Sequence, residues 1–312
     1  MNAFKTMAVV NPRSSNGKTG KGWPDFSKEL ARRVGAVDFR LTTFPGEATI
    51  LTREALAKGY DLILSVGGDG THHEVLNGFF DGTTQINPQA ALAVITSGTG
   101  GDFRRTLGLE PGPHAALKLL DGEALRPIDV GRFSYFTHDG KPATAHFLNI
   151  LSFGIGGLVD HYVNTTTKAL GGRVSFFMGT LRAMMKYRPQ PVRISLDGGP
   201  AMERTIHVCA VANGRYFGGG MFIAPQAELD DGQFEVVLLK DLSTARFVTM
   251  SSHIYSGTHV QHPNVEVHRA SVIEASPVVP GDAVLLDVDG EAKGALPIKV
   301  EVLSKCLKLK VW

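Results

Sequence analysis

YDLILSVGGDGTHHEVLNGFF, residues 60–80, carries three local signals in succession. Residues 62–66 form a short, mostly apolar run, the pattern of a strand buried on both faces of a parallel sheet. Gly67, Gly68 and Gly70 leave the next turn without side chains, so a bulky group can approach its backbone closely. Thr71 and Glu74 have the T-x-x-E spacing of a capping box, which predicts a helix that starts at Thr71 and runs through Val75 and Leu76. Strand, glycine turn and capped helix together make an anion site, because free N–H groups and the positive end of the helix dipole point into the turn. Asp69 puts a carboxylate where a phosphate would sit. Two anionic groups share such a site when a cation lies between them, and Mg²⁺ with a nucleotide meets that condition. The alternative is that Asp69 only closes a tight turn.

The same alternation extends to both sides. Residues 5–10, 39–44 and 91–95 read as strands, and residues 24–34, 48–58 and 113–120 as helices. Strands alternating with helices predict a doubly wound parallel sheet covered on both faces, over residues 1–128. Beyond it, the runs 133–136, 145–151, 192–196, 206–212, 234–239, 265–268, 272–275 and 284–288 alternate with Gly, Asp and Pro turns. That spacing predicts an antiparallel sandwich over residues 129–312, interrupted by one helix at 174–187 that Pro189 stops. The closing run, 298–312, reads as strand and either stays with the sandwich or returns to the first domain. The fold class is thus α/β plus all-β: an N-terminal doubly wound parallel-sheet nucleotide-binding domain followed by an antiparallel β-sandwich domain.

Bulk properties narrow the function classes. A chain of 312 residues with 43% hydrophobic and 20% charged residues is globular and long enough for two cores. A net charge of +2 is too weak a bias for nucleic acid, so none is expected as a partner. The N-terminus lacks the pattern of a signal peptide, and the most membrane-like stretch, 147–159, is too short to span and contains Asn149. The expectation is a soluble, cytoplasmic protein, with Cys209 and Cys306 as buried thiols in a reducing compartment.

Other glycine motifs fail on spacing. Gly17-Lys18-Thr19 is not a Walker A loop, because Pro12 stands where the pattern needs glycine. Arg13, Lys18 and Lys21 leave that loop either simply solvated or able to meet phosphate or anionic lipid. Phe103 and Val159 occupy the third glycine position of the two G-x-G-x-x-G candidates, which disfavours a Rossmann dehydrogenase. What remains is GGDGT at 67–71 and SGTGGDF at 97–103, each just after a predicted parallel strand. In a doubly wound sheet such turns meet at the carboxyl edge, where ligands bind. Asp69 and Asp102 could there face one nucleotide through Mg²⁺, with Arg104 or Arg105 near its phosphates.

These marks occur in order with Asn11-Pro12 after the first strand, HEVLNG at 73–78, NGRYFGGGMFIAPQAELDDGQFEVVLL at 213–239 and DVDGE at 287–291. Together they resemble the diacylglycerol kinase catalytic-domain family of lipid kinases, which includes bacterial diacylglycerol kinases and the sphingosine and ceramide kinases. The resemblance covers nearly the whole chain. It implies an ATP- and Mg-dependent kinase that binds its nucleotide between the two domains and phosphorylates a lipid hydroxyl, most simply that of diacylglycerol. By the same resemblance Asn11, Thr43, Gly67, Gly68, Asp69, Gly70, Thr71, Thr99 and Asp102 contact the nucleotide, with Asp69 and Asp102 managing catalytic Mg²⁺. Asp231, with main-chain oxygens of Glu228 and Gln233, resembles a structural Mg²⁺ site, although an Asp-Gly turn there has a plain structural reading too. Glu291 matches the position of the general base, with Asp289 beside it, and Asp69 remains the other candidate for that role.

Two positions depart from the family pattern. Gly101 stands where Asn is usual, and His72-His73 replace an apolar residue and Asn, His73 agreeing with the sphingosine-kinase variant. Adjacent helical histidines point in different directions, so they are not expected to share a metal. The resemblance further implies a lipid substrate and peripheral membrane contact, for which FLNILSFGIGGLVDHYV and GRVSFFMGTLRAMMKYR supply apolar and basic residues, and it allows a homodimer. The remaining alternatives are an NAD kinase and a catalytically silent nucleotide- or lipid-binding regulator.

Overall fold

In the computed structural model residues 4–97, 101–137, 139–155, 187–240 and 244–311 are described. The chain divides into two units, Met1–Val130 with Ser304–Trp312, and Gly131–Leu303.

In the first unit, apolar runs with no polar face become strands buried on both sides: β1 (Thr6–Val10), β3 (Leu62–Gly67) and β6 (Ala91–Thr96). They pair in parallel in the order β6, β3, β1, and β2 (Asp38–Leu41), exposed along its length, closes the edge beside β1. A small hairpin, β4 (Phe80–Asp81) and β5 (Thr84–Gln85), precedes β6. Helix α1 (Lys18–Val34) buries Trp23, Phe26, Leu30 and Val34, the spacing of one helix face, against β1, β3 and β6. Helices α2 (Glu47–Ala57) and α3 (Asp69–Gly78) are joined by Thr49 Oγ1, which donates to the Glu74 carbonyl at 2.8 Å. The short α4 (Asp102–Thr106) and α5 (Pro113–Ala116) follow β6.

The second unit is β-rich. Its strands are β7 (Leu125–Phe136, which starts in the first unit), β8 (Pro142–Phe147), β9 (Ile150–Gly154), β10 (Gln190–Leu196), β11 (Met202–Ala212) and β12 (Phe234–Lys240). They continue as β13 (Val265–Ala270), β14 (Val272–Pro277), β15 (Leu285–Val288) and β16 (Glu291–Lys310). Antiparallel pairing runs β13, β12, β11, β10, β14, β16, while β9 pairs β11 and β15. This sandwich-like arrangement closes on Phe133, Phe147, Phe153 and Phe234, with the Phe147 and Phe234 rings stacked 5.5 Å apart. Helix α6 (Thr244–Ser256) lays Met250 and Ile254 on the opposite face, against Ala210, Val237 and Leu239. The last residues of β16 belong to the first unit, where Lys308 and Leu309 pair in parallel with Ala91 and Leu92 of β6.

The α/β and all-β halves agree with the sequence pattern, but several elements differ. Helix α1 starts at Lys18 rather than near residue 24, because Gly20 lets the chain pass tightly over Pro12 and donates its N–H to the Pro12 carbonyl at 3.1 Å. The expected strand 39–44 stops at Leu41. The run 145–151 splits into β8 and β9 at Leu148-Asn149, where a distant carboxylate takes the backbone N–H groups. Of the helix expected at 174–187, only Tyr187 lies within the described residues. Among the described residues no helix is long and apolar enough to cross a membrane.

Two stability tests follow from the second unit. Gly131 pairs with Phe147, and a side chain at Gly131 would run into the Phe147 ring. Gly131→Ala should therefore destabilise by about 1–3 kcal/mol in denaturant unfolding. Burial disfavours the Glu266 carboxylate, yet hydrogen bonds from Lys240, Arg204 and His268 outweigh burial and hold its pKa at about 2 against an ordinary 4.5. A depressed folded pKa contributes stability that is present above the ordinary value and is lost as pH falls through the folded one. Thermal unfolding of the wild type should thus lose more between pH 4.5 and 2 than that of Glu266→Gln.

Candidate active site

At the end of β3 the chain turns through Gly67 and Gly68 straight into α3, whose first residue is Asp69. A Cβ on Gly67 would overlap the Thr71 side chain, whereas one on Gly68 would meet nothing within 4 Å, so the turn is open over Gly68. The predicted capping box does not form. Thr71 Oγ1 instead accepts from Asn11 Nδ2 at 3.1 Å, and Glu74 Oε2 accepts from the Ala48 N–H of α2 at 3.2 Å. Tertiary partners have taken both side chains, so the helix begins two residues earlier, at Asp69, with Gly68 as its cap.

That earlier start carries Asp69 to the second turn. Its Oδ2 accepts from the N–H groups of Gly101 at 3.2 Å and Asp102 at 3.1 Å. Gly101 is left-handed, with φ of +85°, and a Cβ there would press on the Thr96 methyl. Ser97 N–H donates to the Gly67 carbonyl at 2.8 Å, so the turns are linked through backbone as well. Asp102 is buried and pairs through Oδ1 with Arg105 Nη1 at 2.6 Å. Arg104 is buried too, donates to the Leu109 carbonyl, and has its guanidinium pKa lowered by burial. Asn11 anchors the end of β1, accepting from Arg13 N–H at 3.0 Å. Thr43 donates through Oγ1 to Glu47 Oε2 at 2.8 Å, and bonds from its N–H and hydroxyl hold the Glu47 carboxyl below the usual range. Gly70 lies in the first turn of α3, and Thr99 lies outside the described residues. His72 and His73 diverge: His73 neighbours Asn77, and His72 turns into the core.

In the second unit the DVDGE turn carries two carboxylates in different settings. Asp289 is buried with φ of +53°. Its Oδ2 accepts from Leu148 N–H at 3.1 Å, and its Oδ1 from Asn149 N–H at 3.0 Å and Ile150 N–H at 3.1 Å. Asp287 Oδ1 accepts from Gly290 N–H at 2.9 Å and closes the turn. Glu291 opens β16 and is exposed. Sequence patterns did not single out residues 148–150 as donors, since backbone N–H groups carry no residue signature. Glu235 was missed as well. It is buried, accepts from Gln226 N–H at 2.7 Å, and has its carboxyl pKa raised by burial.

Asp231 Oδ1 accepts from Gln233 N–H at 3.0 Å and Oδ2 pairs with the half-exposed Arg269 guanidinium. A cationic group already sits on this carboxylate, and among the described residues no group of three or more His, Cys, Asp or Glu side chains is placed to hold a metal ion.

Known proteins repeat this two-part plan. Residues 5–133 match the diacylglycerol kinase catalytic domain, and residues 149–311 the YegS C-terminal NAD kinase beta sandwich-like domain. The chain belongs to the diacylglycerol kinase catalytic-domain family. It is 30% identical over 258 residues to the diacylglycerol kinase of Bacillus subtilis (strain 168), covering 82% of this chain and 79% of the relative. It is 27% identical to the diacylglycerol kinase of Mycobacterium tuberculosis (strain ATCC 25618 / H37Rv), covering 98% and 94%. A solved diacylglycerol kinase from Bacillus anthracis str. Sterne superposes with a TM-score of 0.71 over 100% of this chain and 98% of that one, at 23% identity. Yeast NADH kinase, at a TM-score of 0.53 and 11% identity over 99% of this chain and 83% of that one, shares the fold alone. As a member of the diacylglycerol kinase family, the protein is a lipid kinase, a phosphotransferase.

Removing the Asp289 carboxylate would strand three backbone donors in the core. Asp289→Ala should cost about 2–4 kcal/mol by chemical denaturation, whereas Glu291→Gln, at an exposed position, should leave the unfolding midpoint within about 0.5 kcal/mol of wild type.

Proposed function

We propose that this kinase transfers the γ-phosphoryl group of ATP to the hydroxyl of diacylglycerol. The observation that carries the assignment of roles is the unequal setting of the two carboxylates of the DVDGE turn. Asp289 is committed to three N–H donors, while Glu291 stands exposed two residues later. Glu291 is then the general base: it takes the proton of the lipid hydroxyl as that oxygen bonds to the γ-phosphorus and the bond to the β-phosphate oxygen breaks, releasing ADP. Asp69 and Asp102, hard oxygen donors on adjoining turns, are the groups to hold catalytic Mg²⁺, which when bound neutralises charge on the phosphates. Asn11, Thr43, Gly67, Gly68, Gly70, Thr71 and Thr99 contact the nucleotide, and the open face over Gly68 supports close approach of a phosphate. Asp231, with main-chain oxygens of Glu228 and Gln233, would hold a structural Mg²⁺ in the place where Arg269 now pairs with the carboxylate. The diacylglycerol kinase names of the relatives support this acceptor. Its chemistry brings the protein to a membrane surface.

The test is radiolabelled phosphate transfer from ATP with Mg²⁺ to mixed micelles of diacylglycerol, phosphatidylglycerol, ceramide and sphingosine, with NAD in a separate tube. Label should appear in diacylglycerol, and Glu291→Gln should lower kcat by about 10²–10⁴-fold. Label in another lipid would replace the acceptor, and label in NAD alone would overturn the proposal.

A further inference from the structure

Ser65, His72 and Thr96 form a polar chain inside the first unit. All three are buried, at 0%, 1% and 2% exposure. Ser65 Oγ lies 2.7 Å from His72 Nδ1, and His72 Nε2 lies 3.2 Å from Thr96 Oγ1. The three residues come from β3, the first turns of α3 and the end of β6, so the imidazole spans from one strand to the next. A neutral imidazole has one donor and one acceptor nitrogen, and hydroxyls rotate to suit either. Each group therefore offsets the cost of burying the others.

We infer that His72 is a positioning residue that braces the two turns against each other. Its partner Thr96 lies directly before Ser97, whose N–H is bonded to Gly67, and the Thr96 methyl lies under Gly101, whose N–H is bonded to Asp69. His72, Thr96, Gly101 and Asp69 thus close a loop of contacts around the edge of β3 and β6. An apolar side chain at position 72, as the family resemblance implies for its members, would fill the space but leave the Thr96 hydroxyl without this partner. The imidazole sets the spacing between the turn that carries Asp69 and the turn that carries Asp102.

The consequence for ATP rests on the function proposed above, whereas the brace itself does not. The experiment compares His72→Leu, His72→Gln, Thr96→Val and the His72→Leu/Thr96→Val double variant in the full chain. The measurements are calorimetric ATP–Mg²⁺ affinity, hydrogen exchange of the Gly101 and Asp102 amides, and thermal midpoint. Gln reaches the place of Nε2 and keeps the link to Thr96, so it should restore both readouts to within about threefold of wild type. His72→Leu should speed exchange at Gly101 and Asp102 and weaken ATP binding, each by about tenfold, and the double variant should be no worse than His72→Leu alone. Faster exchange with Gln rescue, in a wild type that binds no ATP, would sustain the brace and count against the kinase assignment. Exchange within about twofold of wild type in His72→Leu, or simple addition of the two single effects, would overturn the brace. If His72→Leu fails to fold, Thr96→Val, which keeps the shape and removes one hydroxyl, decides by the same exchange readout.

Discussion

The carboxylate of Asp69 holds the architecture of the first unit's edge together by accepting the N–H groups of Gly101 and Asp102. Bonds from N–H to an ionised carboxylate are stronger than neutral ones and keep their geometry. Because Asp69 is also the first residue of α3, the helix dipole favours its negative charge, and one residue joins a helix start to a neighbouring loop. The Ser97–Gly67 backbone bond and the Asn11–Thr71 side-chain bond reinforce the same junction. Turns tied together in this way are held in one arrangement, so the phosphate contacts proposed for them would need little reorganisation.

Asp289 does the corresponding work in the second unit. A residue other than glycine at φ of +53° is held there by its surroundings, and here the three N–H groups of residues 148–150 do the holding. The turn that results displays Glu291 at the head of β16, on a strand rather than a loose loop. Both units therefore use a carboxylate that accepts backbone N–H groups to fix a turn, and both place further acidic residues beside it. Different environments divide otherwise similar carboxyl groups into buried acceptors such as Asp289 and exposed groups such as Glu291.

Much of the scaffold was legible in the chain. The runs at 62–66 and 91–95 are short and apolar, and only a strand covered on both faces buries such a segment completely. Glycine at 67, 68 and 101 marked the tight turns, and the alternation of short runs after residue 129 marked the antiparallel half. Reading failed where a side chain had a competing partner. Thr71 and Glu74 had capping-box spacing, yet Asn11 and Ala48 claimed them, and helix α3 started earlier. The run at 145–151 looked continuous until the distant Asp289 divided it.

Local rules therefore specified the strands, most of the helices, the glycine turns and the acidic residues that merit attention, since periodicity and the conformational freedom of glycine act within a few residues. Only the tertiary structure decided which donors each acidic residue accepts. The partners of Asp69 lie 32 and 33 residues away, and those of Asp289 lie 139 to 141 residues away. Backbone N–H groups look alike in every sequence, so the donor a carboxylate selects depends on which segments the folded core brings to it.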